Sequence, residues 1–289
     1  MKLTRDCPIT FTLDIKANST HHQSMMLTSD VHFDSSHCDL KRFTEHLKIA
    51  DQEKAPVLIA GDFFDAMQGH DDPRRSPEEL KEQYRVSHYF DAIVLDASHY
   101  LRQFENIPLW ILAMGNHESK VLEKINTNLL ERLAYDMRLH GHNAEAAGYR
   151  GYLRIIFRYK NGSDQPSRSL YWYHGISSNA KVTHGVIDVN RQSTWLTDVD
   201  VVLNGHNHKS YWMPQPVERR TTTNIPYTDA IHFFRTPGYK MSSGETQSPF
   251  GFGSERHPEP TLKGCVFLDM IYRKGHDIPV TLEHRTKIG

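Results

Sequence analysis

Five separate β-like runs in this chain stop at residue types that ligate metals, and that recurrence constrains the fold more than any other feature. Met25 to Thr28 runs into Ser29-Asp30-Val31-His32-Phe33-Asp34, and Val57 to Ala60 into Gly61-Asp62-Phe63-Phe64-Asp65. Leu109 to Met114 runs into Gly115-Asn116-His117-Glu118, Ser169 to Tyr173 into His174-Gly175, and Asp200 to Leu203 into Asn204-Gly205-His206-Asn207-His208. Taken alone, Gly115–Glu118 reads equally well as a Gly-Asn turn with Asn116 capping a helix. Ligands of open α/β sheets collect outside the carboxyl ends of the strands. Five such endings in order, each at the same end of its strand, ask for sheets whose carboxyl edges gather these side chains in one place. Asp30 and His32, two apart in an extended segment, point to the same side.

Composition narrows the classes. The chain has 289 residues, enough for a sizeable core. Its 34 basic and 35 acidic side chains nearly cancel, so no overall field favours nucleic acid or a membrane, although a local groove is compatible with neutral balance. The hydrophobic fraction of 38% is somewhat low for a compact globule, and nineteen histidines account for part of that. Cys7, Cys38 and Cys265 have neither disulfide-framework nor zinc-knuckle spacing and fit a reduced interior. No apolar run approaches transmembrane length and the N-terminus has no signal-peptide core, so the expectation is a soluble, cytoplasmic protein without a membrane partner.

Between the five blocks, Ile9 to Ile15 and Met25 to Thr28 predict an opening hairpin or adjacent strand pair, with His21 and His22 in the connection. Asp39 to Ala50 predicts an amphipathic helix carrying Leu40, Phe43, Leu47 and Ala50 on one face. A charge-rich loop from His70 to Pro77 leads into a helix start at Pro77, and the helical region runs with breaks to Phe104. Leu122 to Leu133 predicts helix, residues 139 to 173 antiparallel strands with a turn at Asn161-Gly162, and Asn190 to Leu196 a short helix. Pro214 to Pro260 is rich in Thr, Ser, Gly and Pro, broken by a strand at Ala230 to Phe234, with a long loop over 241–260. Cys265 to Ile271 and Pro279 to Glu283 close the sheet as a final pair. With no internal repeat or linker, residues 1–289 read as one domain.

The ligand set contains carboxylates, imidazoles and a neutral amide but no thiolate, which suits a borderline divalent ion: Mn²⁺ first, with Fe²⁺ and Zn²⁺ also compatible. It is too large for one tetrahedral structural zinc. Two ions need a shared group, and Asp62, fixed by a buried strand, is the natural bridge. Two metals roughly 3.5–4 Å apart activate a water while holding the oxygens of an in-line displacement at phosphorus, so a bridging hydroxide is the expected nucleophile. Asn116 then supplies the ligand of its block, which leaves His117 to protonate the leaving oxygen. Asp65, three residues after Asp62, is placed to orient and charge-stabilise that imidazole.

These blocks resemble the calcineurin-like metallophosphoesterases, binuclear metal phosphoesterases whose pattern is Asp-x-His, Gly-Asp-x-x-Asp, Gly-Asn-His-Glu/Asp, His, and Gly-His-x-His. All five stand here in the family's order between Asp30 and His208. The resemblance implies an α/β fold, a two-sheet β-sandwich flanked by helices in αββα layers. It implies a first metal on Asp30, His32, Asp62 and His208, a second on Asp62, Asn116, His174 and His206, and His117 paired with Asp65 as the acid. His184-Gly185 competes with His174-Gly175 for the fourth block.

Substrate class follows less directly. Serine/threonine phosphatases of this superfamily carry Asp-Arg-Gly from the second Asp of the second block, whereas Asp65 is followed by Ala66-Met67-Gln68. Lipid-A precursor hydrolases share the core blocks, but no apolar cap is evident. Tyr171, Trp172 and Tyr173 precede His174, and Tyr211 and Trp212 follow His208, where bases can stack; Trp172 and one of these tyrosines read better as core. Arg74, Arg75, Arg219, Arg220 and Lys240 offer positive charge without one dense run. The expectation is a phosphodiesterase acting on nucleic acid, possible DNA included, or on a nucleotide. The alternatives are a phosphomonoesterase acting on protein or small molecules, and a metal-binding scaffold with vestigial hydrolysis.

Overall fold

Val57–Ala60 is a four-residue run buried on both faces, and alternate residues in it feed two different cores. Val57 and Ile59 pack among helices, while Leu58 and Ala60 face a second sheet. Trp110 and Leu112 against Ile111 and Ala113 repeat the division, as do Phe267 against Val266 and Leu268. A strand with helices on one side and a sheet on the other has no polar face, which is why these runs read as continuously apolar.

The protein is seen in a computed structural model that describes residues 1–66, 80–159, 165–175, 185–221, 223–241 and 261–289. Its elements are β1 (Lys2–Cys7), β2 (Thr10–Ala17), β3 (Thr20–Thr28), α1 (Leu40–Glu53), β4 (Val57–Ala60), α2 (Tyr89–Leu101), β5 (Trp110–Ala113), α3 (Asn116–Ile125) and α4 (Leu129–Leu139). They continue with β6 (Ala144–Ala147), β7 (Arg150–Tyr159), β8 (Ser167–Tyr173), α5 (Val186–Ser193), β9 (Val201–Asn204), β10 (Tyr211–Arg220), β11 (Pro226–Arg235), β12 (Gly264–Arg273) and β13 (Val280–Ile288). One sheet runs β13-β12-β3-β4-β5-β6 and the other β1-β2-β7-β8-β9-β11-β10. Helices α1, α2 and α4 cover the six-stranded sheet, a mostly apolar layer joins the sheets, and Val189 of α5 packs on the outer face of the seven-stranded one. The architecture is αββα: two β-sheets flanked by helices.

Strand direction positions the site. β3, β4 and β5 are parallel neighbours in one sheet, and β8 and β9 are parallel neighbours in the other. All five ligand blocks therefore leave carboxyl ends of parallel strands.

Several elements depart from the sequence expectation. β2 and β3 do not form a pair: β2 joins β1 and β7, whereas β3 joins β12 and β4, so the chain crosses between sheets at Asn18-Ser19. His21 and His22 belong to β3 rather than to a connection. The expected helix from Leu122 to Leu133 is broken where Asn126 turns left-handed (φ 52°) and Asn128 caps α4 by accepting from Leu130 and Glu131. Residues 144–147 join the other sheet, parallel to β5, while β7 and β8 are antiparallel. β10 carries Pro214 and Pro216 yet is a ten-residue strand. It is the edge strand, and proline is tolerated where the missing N–H faces no partner. The helix start at Pro77, the Asn161-Gly162 turn and residues 242–260 of the expected loop lie outside the described residues.

Arg285 on β13 ties the sheet edge to α1. Its guanidinium donates to both carboxylate oxygens of Asp269 (2.6 and 2.9 Å) and to both of Glu53 (2.8 and 2.7 Å). The hydrogen bond from Arg285 holds the Glu53 carboxyl below its usual range. Burial works against Asp269, but Arg285 and Ser24 outweigh it and also lower its pKa. Carboxyls lowered in the folded state stabilise above their unfolded range and lose that contribution as pH falls through the folded values. Because the Arg285 guanidinium is partly open to solvent, which screens the pair, Arg285→Leu is expected to cost about 1 kcal/mol at neutral pH. Denaturant titrations should show the gap to wild type narrowing below about pH 4.

Candidate metal centre

The loops after β3 and β4 are zipped together by backbone bonds, from Asp30 N to Gly61 O (2.9 Å), His32 N to Asp62 O (3.1 Å) and Phe33 N to Phe63 O (2.8 Å). The other sheet joins them where His206 N donates to Asp30 Oδ2 (2.9 Å) and Gly205 N to His174 O (2.8 Å). Asp30, His32, Asp62, His206 and His208 all have positive φ, between 50° and 74°. Non-glycine residues are uncommon there and persist where the surroundings over-determine them, as at functional sites. Two glycines permit the approach. A Cβ on Gly61 (φ 97°) would lie 2.2 Å from His174 Nδ1, and one on Gly115 would lie 2.1 Å from Asp62 Oδ1.

One group of side chains consists of Asp62, His174 and His206, with ligand atoms within 4.8 Å of one another. His174 Nδ1 donates to the Ala60 carbonyl (2.8 Å), so Nε2 is the atom turned inward. There it meets two oxygens, Asn116 Oδ1 and Asp62 Oδ2, each at 3.1 Å. Asn116 Oδ1 also lies 2.6 Å from His206 Nδ1. A buried knot of lone pairs needs a positive charge. Burial works against a charged His174, yet Asp62 and Asp30 outweigh it and push the imidazole up to about 10. A proton on His174 meets that need; a divalent cation meets it with direct bonds to the same atoms.

The second group is Asp30, His32 and His208, again within 4.8 Å. His32 Nδ1 bonds Asp65 Oδ1 at 2.8 Å, which turns Nε2 toward the group. His32 Nε2 is fully buried and has no hydrogen-bond partner among the described residues. A buried polar atom is rarely left so. A carboxylate on one ring nitrogen with the other aimed at a cation is how metal-ligating histidines are held. Burial keeps His32 and His208 below the usual imidazole range despite their aspartate neighbours, and the neutral ring is the form that ligates. The donors in both groups therefore suit two divalent cations.

A third grouping, His32, Asp65 and His117, is of a different kind. The Asp65 carboxylate is already engaged by His32 Nδ1 and by Lys240 Nζ at 2.7 Å. This differs from the expected pairing of Asp65 with His117. Asp65 Oδ1 is 4.0 Å from His117 Nδ1, and the imidazole bonds the Asp65 backbone carbonyl instead. The cause lies in Asp34, whose carboxylate accepts from Asp65 N (2.6 Å) and Ala66 N (3.0 Å) and fixes that peptide with its carbonyl toward His117. Tyr89 Oη donates to Asp34 from the other side. His117, His206 and His208 are half-buried, while Asp30, His32, Asp62 and His174 are buried, so the group opens to solvent along the three outer imidazoles.

Glu118 is buried and accepts from three backbone amides: Gly115 N (2.9 Å), Asp62 N (3.2 Å) and Phe64 N (2.9 Å). It caps α3 and at the same time clamps the loop carrying Asp62. Burial and the Asp62 charge push its carboxyl up to about 7, against the pull of the Phe64 and Gly115 amides. Sequence reasoning left Asp34 and Lys240 without these roles and offered Glu118 as a cap of the following helix, without its hold on Asp62 and Phe64. Asp34 does continue the two-residue spacing of Asp30 and His32, which is the one local signal available. His184, the competitor to His174, lies outside the described residues.

The sequence model described as "Calcineurin-like phosphoesterase" matches residues 24–219. A search of curated proteins returned no match. Among solved structures, Vps29 of Entamoeba histolytica, complexed with zinc, is 10% identical with a TM-score of 0.33, covering 91% of this chain and 99% of that one. Vps29 of Chaetomium thermophilum is 9% identical with a TM-score of 0.37, covering 92% and 96%. GAP50, the anchor in the inner membrane complex of Plasmodium, is 11% identical with a TM-score of 0.39, covering 90% and 88%. At TM-scores below 0.5 these likenesses bear on neither substrate nor partner.

Removing the Glu118 carboxylate strands three buried N–H groups at once. Glu118→Ala is expected to lower the unfolding free energy by about 2–5 kcal/mol, and Glu118→Gln, which keeps one acceptor oxygen, by less. Thermal unfolding of metal-free protein checks the order; equal stability of all three would contradict the clamp.

Proposed function

The chain belongs to the calcineurin-like phosphoesterase family, and from that premise we propose that it is a divalent-metal-dependent phosphodiesterase acting on nucleic acid or a nucleotide. The observation that carries the reading is the set of inward-facing acceptor atoms at five strand ends, above all His32 Nε2, which has no partner among the described residues. Asp30, His32, Asp62 and His208 would hold one ion, and Asp62, Asn116, His174 and His206 the other. Mn²⁺ is the first choice, with Fe²⁺ and Zn²⁺ suited to the same donors. When bound, a pair of such ions lowers the pKa of water and draws negative charge off phosphoryl oxygens.

The chain's own residues supply the rest. His117 Nδ1 is committed to the Asp65 carbonyl, which leaves Nε2, 3.7 Å from Asp62 Oδ2, to hold a proton and pass it to the leaving oxygen. Asp65 acts as a positioning residue, its carboxylate orienting His32 and its carbonyl orienting His117. Preference for a diester is supported by the place of nearby cations. Arg150, Arg191 and Arg235 line a cleft that also includes Gly175 and Asn204, the chain neighbours of His174 and Gly205. There they are suited to a group flanking the scissile phosphorus. No described helix is long and apolar enough to cross a membrane; a cytoplasmic location remains part of the proposal.

Chelation should abolish diester hydrolysis and re-addition of Mn²⁺ restore it, with Asp62→Asn failing to recover. For His117→Ala the expected loss in kcat is about 10²–10⁴-fold on a dinucleotide, whose alkoxide leaving group needs a proton. The loss should be far smaller on a 4-nitrophenyl diester, whose leaving group does not. A protein that binds no divalent ion and keeps its rate in both variants, or one that hydrolyses only monoesters, would overturn the reading.

A further inference from the structure

The cleft beside the group of Asp62, His174 and His206 has a volume of about 320 Å³, at the lower end of the range for small-molecule sites. Gly175 and Asn204 are in its lining, so it begins one residue from His174 and two from His206. Its walls combine two chemistries. Arg150, Arg191 and Arg235 make it basic, and Asp188 is the one carboxylate among its lining residues. Tyr173 is half-buried, and Trp195 is 52% exposed, its ring edge-on to Tyr171.

Two buried atoms in this lining are left without partners among the described residues: Arg235 Nε, a donor, and Gln192 Oε1, an acceptor. Arg235 is itself 5% exposed, paired through Nη2 with Asp188 (3.0 Å) and stacked over Tyr211. The larger cleft near Arg168 and Arg219 differs. Arg168 sits on Asp200 (2.8 Å) and Asp229 (3.0 Å) and Arg219 on Asp200 (3.0 Å), and although Arg219 Nε has no hydrogen-bond partner among the described residues, it lies 3.3 Å from the Asp229 carboxylate.

We infer that the cleft between α5 and the ends of β8 and β9 is a nucleotide subsite, with the base on the faces of Tyr173 and Trp195 and the phosphate on the arginines. A nucleotide answers both orphaned atoms, since its phosphate oxygens accept from Arg235 and its sugar hydroxyls or base N–H groups donate to Gln192. Its flat ring also suits exposed aromatic walls, where a base stacks whatever its identity. The inference rests on the phosphodiesterase reading for its place beside the scissile group. It extends that reading by specifying a nucleoside on one side of the phosphorus.

Calorimetric binding to the full chain tests it, with and without chelator. The probes are inorganic phosphate, ribose 5-phosphate, adenosine 5′-monophosphate and a single-stranded tetranucleotide. Adenosine monophosphate should bind about tenfold or more tightly than ribose 5-phosphate. Trp195→Ala should erase most of that advantage, and Arg150→Ala with Arg191→Ala should weaken every phosphate-bearing probe. Trp212→Ala should change nothing, because that ring is exposed elsewhere, stacked on His232 and tilted against His284. A tetranucleotide tighter than the mononucleotide identifies a strand as the natural source; equal binding identifies a free nucleotide. Ribose 5-phosphate binding as well as the nucleotide, or Trp195→Ala leaving both unchanged, overturns the subsite. Because turnover is not read, binding without diester hydrolysis would keep the subsite and defeat the phosphodiesterase reading. Hydrolysis without base-dependent binding would do the reverse.

Discussion

The arrangement that everything else serves is electrostatic: several acceptor atoms face one another in a buried place. Asp62 Oδ2 and Asn116 Oδ1 each lie about one hydrogen-bond length from the inner nitrogen of His174, and the imidazole nitrogens of His174 and His206 are the donors the protein brings to them. Unpaired charges and lone pairs are costly away from water. A fold tolerates such a knot when a cation belongs there. His174 raised to about 10 and His32 Nε2 left bare are two expressions of the same demand, one met by a proton and one not met by any described residue.

The scaffold concentrates this demand by strand direction and resists it by backbone support. Parallel β3, β4 and β5 bring three blocks to one edge, and β8 with β9 bring two more from the facing sheet. Holding five of the ligand residues at positive φ costs of order 1–3 kcal/mol each. The opposing contributions come from groups outside the two ligand sets. Glu118 gathers the amides of Asp62, Phe64 and Gly115, Asp34 fixes the peptide between Asp65 and Ala66, and Lys240 neutralises Asp65. The acid candidate, His117, is thus oriented by a backbone carbonyl whose position is set by a carboxylate 31 residues earlier in the chain.

What the sequence revealed divides along range of interaction. The five blocks were legible because each is local, a strand followed by its ligands, and β4 and β5 because burial on both faces leaves an unbroken apolar run. The αββα layering entered through resemblance, and the two cores then account for it. Elements at sheet edges were lost. β1 is exposed nearly throughout and carries no apolar alternation, and β10 holds prolines that only an edge permits. The Asp65 pairing could not be read, since spacing says nothing about whether a side chain or its carbonyl meets a distant ring. Lys240 stands 175 residues from Asp65, and no local pattern joins them.

Anomalous diffraction from crystals grown with Mn²⁺ tests the central claim most directly, because it places each ion without reference to turnover. The account predicts two peaks per chain, one against Asp30, His32 and His208 and the other against Asn116, His174 and His206, with Asp62 between them. No peak at saturating metal, or a single peak on Asp65 and His117, would contradict it.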